Sequence, residues 1–220
     1  LVTVIGTALS LVITSTFAFA VSNDKLPGHK ILMFLCIFTM LFNGGLVASY
    51  YVYSNIFHIK NTIWALIVPT FLMSPFNVVL VKNYFSNSIS PSILEAARMD
   101  GAGVFAVFTK IVMPLSVPIM ATVGLMTAIG YWNDWTNGLY YLTENGGAQY
   151  YTIQLVLNRI NENINFLANN SDVAAKAAQQ LPSTTMRMAI AVIGILPIMC
   201  AYPFFQKYFV KGITLGGVKE

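Results

Sequence analysis

Charge is what this sequence has least of. Only 9% of its 220 residues are Asp, Glu, Lys or Arg, where a soluble domain carries about 25%. A soluble chain of this size needs more charge to cover its surface, so an ordinary cytosolic or secreted domain is excluded. A disordered chain is excluded as well, because 56% of the residues are hydrophobic and disorder needs the opposite composition. Cysteine and histidine are scarce, with two of each. Cys36 and Cys200 both lie inside apolar runs and read as small buried hydrophobes rather than a disulfide. No spacing suits a zinc, haem or iron–sulfur site, so no metal or cofactor is expected. The net charge of +4 is spread over the whole chain, which leaves no dense basic face for nucleic acid. The pattern G-x-x-x-x-G-K-[ST] is absent, so the chain has no phosphate-cradling loop of its own.

What the sequence does have is long apolar runs. Five are near the ~20 residues a bilayer span requires: Val2–Ser22, Ile31–Tyr53, Thr62–Val81, Val112–Trp132 and Met186–Phe205. The fold expected is all-α: one polytopic membrane helix bundle over residues 1–220. Gly44-Gly45 and Ser74-Pro75 are expected packing or kink points. The chain opens inside an apolar run with no Met and no basic flank, unlike a signal peptide. One further helix upstream is therefore expected, giving six spans.

Charge also orients the bundle. Alternate loops place Lys25, Lys30, Lys82, Arg98, Lys110, Lys207, Lys211 and Lys219 on one side. Lys60, Arg159, Lys176 and Arg187 fall on the other. The positive-inside rule makes the first side cytoplasmic. Residues 82–111 then form a cytoplasmic loop, 206–220 a cytoplasmic tail and 133–185 a long outer loop. Tyr50, Tyr51, Tyr53, Trp132, Trp135, Tyr140 and Tyr141 read as interfacial belts on the outer side.

The loop 82–111 holds the most informative segment. Ser90 is expected to cap a helix that begins at Pro91 and runs to about Asp100, with Gly101 as its left-handed stop. Ile93, Leu94, Ala97 and Gly101 are expected on one face, kept nearly flat by Ala96 and Ala97. By itself this describes a short amphipathic helix on a membrane surface. The wider spacing says more. Glu95-Ala96-Ala97 is followed by three residues, Gly101, nine residues, Ile111, one residue, Met113 and Pro114. This resembles the E-A-A-x3-G-x9-I-x-L-P signature of permease subunits of bacterial ATP-binding-cassette importers, with Met113 in place of Leu. Ser74-Pro75-Phe76, Asn83-Tyr84-Phe85, Trp132-Asn133-Asp134-Trp135 and the tail from Gln206 resemble the sugar-importer permeases, in the branch of the maltose transporter's smaller permease.

The resemblance implies a non-catalytic transport subunit in a bacterial cell membrane. It implies an ATPase dimer as partner, a second permease chain, an extracytoplasmic solute-binding protein, a sugar as cargo and lipid around the spans. Glu95, Ala96, Ala97, Asp100, Gly101, Gly103, Ile111 and Pro114 would couple to the ATPase. The tail Lys211–Glu220 either reaches that interface or is a solvated basic end. Thr152–Phe166 shows a helical stripe at Ile153, Leu157, Ile160, Ile164 and Leu167, expected to pack inward and leave Asn161–Asp172 for docking. Polar residues that interrupt the spans are candidates for the path: Thr7, Ser10, Thr14, Asn43, Ser74, Asn77 and Thr122, with Asn43 and Asn77 foremost. Each could equally bond helix to helix. A non-sugar solute remains an alternative cargo, as does a self-sufficient secondary transporter. The latter is disfavoured because the spans carry no acidic or basic residue away from their edges. A membrane enzyme would need a catalytic cluster, and His29 and His58 sit in separate loops.

Overall fold

The computed structural model describes residues 1–24, 26–169, 185–200 and 203. Every regular element among them is helical. Among the described residues, helix α1, Val2–Ser22, is the one helix long and apolar enough to cross a membrane unbroken. It lies at the centre and packs against α5 (Pro75–Ser88) and α9 (Val117–Asn133). Its buried residues, Gly6, Ser10, Thr14, Ser15, Ala18 and Val21, recur every three or four positions. Their small side chains let neighbouring backbones come close. The main core gathers there, with Ala18, Val21, Val78, Val81, Phe85, Val112 and Val123 all buried.

Three of the expected spans are interrupted. In the second run, α2 (His29–Leu41) ends at Phe42, and α3 (Gly45–Tyr51) resumes at an angle of 119° before widening into a π-turn at Val52–Ile56. Gly45 stands at the join with φ +80, a conformation open to glycine at no steric cost. In the third run a single turn, α4 (Trp64–Ile67), gives way to turns before α5 begins at Pro75. Proline lacks an N–H and pushes the residue before it out of the helical region. Ser74 is extended accordingly, at φ −92 and ψ 120. The fourth run starts earlier than expected. Helix α7 (Val104–Val107), a π-turn over Phe108–Val112 and α8 (Met113–Leu115) lead to Ser116, where the chain bends by 79° into α9. Pro114 and Pro118 flank that bend. Counting each bent pair as one span gives up to three spans among the described residues.

Between α5 and α7 lies α6 (Pro91–Met99). Beyond α9 come α10 (Thr136–Tyr141), α11 (Glu144–Gly147) and α12 (Ile153–Asn169). Among the described side chains of α12, Leu155, Leu157 and Ile164 are buried, whereas Ile153, expected in the stripe, is exposed. The described part of the fifth run is α13, Thr185–Cys200. Trp132 of α9 donates its indole N–H to the Gly194 carbonyl at 2.9 Å, and Arg187 donates to Asn165 of α12 at 2.7 Å. The expected docking residues 170–172, and the tail 206–220, lie outside the described residues.

The seam of α1 and α9 is tight at Gly6. A Cβ there would sit 2.6 Å from the Tyr131 ring. Tyr131 cannot withdraw freely, because it is buried and its hydroxyl donates to the Ile67 carbonyl at 2.8 Å. Gly6→Ala is expected to cost about 1–3 kcal/mol by overpacking. A thermal unfolding scan of the detergent-solubilised protein should show a lowered midpoint; an unchanged midpoint would contradict this packing.

Candidate functional site

The first candidate region is α6 and its exit. Asp100 closes the helix, and Gly101 follows with φ +82. The Gly101 N–H donates to the Arg98 carbonyl at 3.0 Å, and the Ala102 N–H donates to the Ala97 carbonyl at 2.9 Å. These two bonds form a Schellman stop, with glycine at its left-handed position. The three-residue gap between Ala97 and Gly101 is thereby explained. Ala97 offers the carbonyl that ends the helix, and Gly101 makes the turn that reaches it. Ala102 packs beside Ala97 against the core, together with Leu94.

The helix divides its apolar residues differently from the sequence expectation. Leu94 and Ala97 face the core, but Ile93 points outward with Glu95, Ala96 and Asp100. Met99 is 88% exposed and Phe105, just beyond the turn, is 77% exposed. The end of α6 therefore exposes apolar side chains as well as the carboxylates Glu95 and Asp100. Ser90 holds the position before the helix, but its hydroxyl pairs with that of Ser92 at 2.8 Å instead of capping a backbone N–H. Gly103 precedes α7 in an extended conformation. Ile111 lies half-buried in the π-turn, and Pro114 is exposed in α8.

The polar residues of the spans are distributed as follows. Asn77 is buried and donates to the Thr127 hydroxyl at 3.3 Å, joining α5 to α9. Thr122 donates back to the Pro118 carbonyl, one turn earlier. Ser10 donates to the Phe71 carbonyl at 3.0 Å. The hydroxyls of Thr7 and Thr14 are buried without a hydrogen-bond partner among the described residues. Ser74 precedes α5, and its carbonyl accepts the Val78 N–H. Asn43 alone of these lines an open cavity, of about 760 Å³.

That cavity is built by the helix breaks. Asn43, Gly44 and Gly45 come from the first break, Pro69, Thr70 and Met73 from the second, and Thr136, Asn137 and Tyr140 from α10. Sequence reasoning missed Thr70 and Asn137, and placed Tyr140 in an interfacial belt. The usable signal was Asn137 itself, three residues after Asp134. Asp134 Oδ1 accepts the Asn137 N–H at 3.1 Å and the Thr136 hydroxyl at 3.2 Å, and Oδ2 accepts the Asn137 amide at 2.7 Å. Thr70 then donates to the Asn137 side-chain oxygen at 3.2 Å. Burial pushes the Asp134 carboxyl above the ordinary carboxylate range, against the opposing pull of these hydrogen bonds. Tyr141 is buried, stacked on Tyr50 with ring centres 5.8 Å apart and edge-on to Tyr53 at 6.0 Å. Nearby, Asn61 adopts φ +59 and accepts the Thr143 N–H at 2.7 Å, tying the chain after α10 to the start of α4.

Apolar helices broken around a polar cavity, with one amphipathic helix held at the edge of the bundle, have the architecture of a membrane permease. The chain belongs to the family of binding-protein-dependent transport system inner membrane components, which it matches over residues 3–215. It is 38% identical over 218 residues to the polygalacturonan/rhamnogalacturonan transport system permease protein YtcP of Bacillus subtilis, covering 99% of this chain and 74% of that one. It is 36% identical to Protein LplC of the same organism, with 99% and 71% covered. Among solved structures it is similar to a bacterial ABC transporter involved in the import of the acidic polysaccharide alginate. That match has a TM-score of 0.77 and 31% identity, over 94% of this chain and 71% of the other.

The Asp134 network yields a test. The folded pKa lies above the ordinary 3.8, so the folded state holds its proton more tightly than the unfolded chain. The group's favourable contribution is complete below the unfolded pKa and is lost as pH rises through the folded value. Asp134→Asn is expected to flatten this part of the stability–pH curve, measured as thermal midpoint against pH. Asp134→Ala strands the Asn137 and Thr136 donors and should cost about 1–2 kcal/mol at low pH, where the group's contribution is complete, and less as pH rises.

Proposed function

We propose that this chain is the carbohydrate permease subunit of an ATP-driven, binding-protein-dependent importer. The observation that carries the reading is α6: a short helix rigidly stopped by Gly101, seated on the bundle by Leu94, Ala97 and Ala102, and offering Ile93, Met99 and Phe105 outward. Exposed apolar groups around two carboxylates suit a protein cleft better than water. The chain has no phosphate-binding loop, so energy comes from a partner. An ATPase dimer docks on α6 from the cytoplasm, with Glu95, Ala96, Ala97, Asp100 and Gly101 at the contact. Gly103, Ile111 and Pro114 carry the movement into α9. ATP binding and the loaded solute-binding protein then bias one two-state equilibrium from opposite ends.

The cargo follows from two supports. The Bacillus relative is named for polygalacturonan and rhamnogalacturonan, and the similar solved structure belongs to an alginate importer. The cavity of this chain is lined by hydroxyls, amides and tyrosines, as a sugar requires. A second permease chain completes the path. The solute-binding protein meets the outer loop 133–185. Asn43 borders the route and Asn77 ties α5 to α9 beside it, while Ser74 at the start of α5 and Thr122, bonded within α9, support those helices. The tail 206–220 stays on the ATPase side.

Gly101→Leu tests the coupling role. A non-glycine residue in the left-handed region costs about 1–2 kcal/mol, and a Cβ at Gly101 meets no neighbour within 4 Å, so the effect is confined to the turn. Uptake per ATP hydrolysed in reconstituted vesicles should fall roughly tenfold, the equivalent of about 1.4 kcal/mol. Gly101→Asn, which tolerates the left-handed region, should lose less. Unchanged uptake per ATP in Gly101→Leu would overturn the role assigned to α6.

A further inference from the structure

We propose that the cavity between the two helix breaks is a sugar-ring subsite that reads hydroxyls and a ring face and is indifferent to charge. The proposal rests on the importer reading above and specifies which atoms of this chain meet the cargo. Its starting point is backbone chemistry. Unpaired peptide groups are tolerated inside a membrane where they are buried in protein or line a watery cavity. The break at Phe42–Gly44 and the break before Pro75 come from different runs, yet both border the same cavity of about 760 Å³. Discontinuous helices facing one cavity are how transporters assemble a polar site within apolar surroundings. The volume also falls in the ordinary range for small-ligand sites.

The side chains supply a matched donor and acceptor. Asn43 spends its side-chain oxygen on the Gly45 N–H at 2.9 Å, which leaves its amide N–H groups to donate into the cavity. Thr70 spends its proton on Asn137 at 3.2 Å, so its oxygen presents lone pairs. Asn137 cannot rotate to release that proton, because Asp134 holds its amide at 2.7 Å. A donor from one break and an acceptor from the other suit the hydroxyls of a sugar, each of which both donates and accepts. Tyr140 adds a partly exposed aromatic ring for the C–H face of a pyranose. Among the described residues, no charged side chain lines the cavity. Asp134, which bonds the lining residues Thr136 and Asn137, has both oxygens occupied by them. A uronate and its neutral counterpart therefore meet the same contacts here.

Thiol protection in the complete importer tests this. In a chain carrying Cys36→Ala and Cys200→Ala, Thr39→Cys places a reporter on the cavity wall, away from the groups assigned to the sugar. Labelling by a small maleimide is followed with trigalacturonate, with its methyl ester and with raffinose, alongside uptake of each. The expected result is at least fivefold slower labelling with the sugars that are taken up. Trigalacturonate and its ester should agree within threefold. Adding Asn43→Leu and Thr70→Val should abolish protection while leaving sugar-free labelling intact, which shows the fold is retained. Uptake of any sugar without protection would overturn the subsite. So would protection that survives the double substitution, or protection by the charged trisaccharide alone. Absence of uptake for all three would instead count against the carbohydrate importer reading itself.

Discussion

The constraint on which this structure depends is that a peptide group in hydrocarbon must find its hydrogen bond within the protein. An unbroken helix meets it automatically, and α1 does so over Val2–Ser22. Interrupted helices meet it only if other elements enclose the interruption. The small-residue face of α1 makes that possible. By letting α5 and α9 approach closely, it frees the adjoining segments to bend at Gly45, Ser74 and Ser116 around a packed centre. The polar cavity exists because two of those breaks are brought to face each other.

Rigidity at α6 has the same kind of origin. A helix of nine residues is marginal alone, so its stability comes from its seat and its end. Leu94 and Ala97 supply the seat, and the bonds from Gly101 and Ala102 supply the end. A short signature of small residues thus encodes a firmly seated helix with a fixed end. The alanines allow close seating, and the glycine admits a turn that other residues resist. The outer side of the helix leaves Ile93 and Met99 exposed. In the same way, the exposed apolar residues of α2, such as Ile31, Phe34 and Leu41, suit a lipid or permease environment.

The sequence reading succeeded where local chemistry decides. The stop at Gly101 sits where expected because φ near +80 is intrinsic to glycine. Gly44-Gly45 and Ser74-Pro75 mark kink points by their chemistry, and both are breaks between helices. The reading went astray where neighbours decide. Ile93 looked like part of the inward face, but core contacts accept Leu94 and Ala97 and leave Ile93 out. Ser90 looked like a cap, yet its hydroxyl found Ser92 first. Leu155 is buried and Ile153 is not, since contact with Leu66 and Leu142 selects which side of α12 is covered.

By itself the sequence determined that this is a helical membrane protein, where two of its three interrupted runs yield, and which short helix after Ser90 is set apart. Hydropathy, proline and glycine are local properties, and they act whatever surrounds them. Only the tertiary structure decided that Asn77 bonds to Thr127, that Asn43 lines a cavity, and that Thr70 and Asn137 meet across 67 positions of sequence. An amide in an apolar run must find a partner, but which partner depends on the side chain that packing brings within reach.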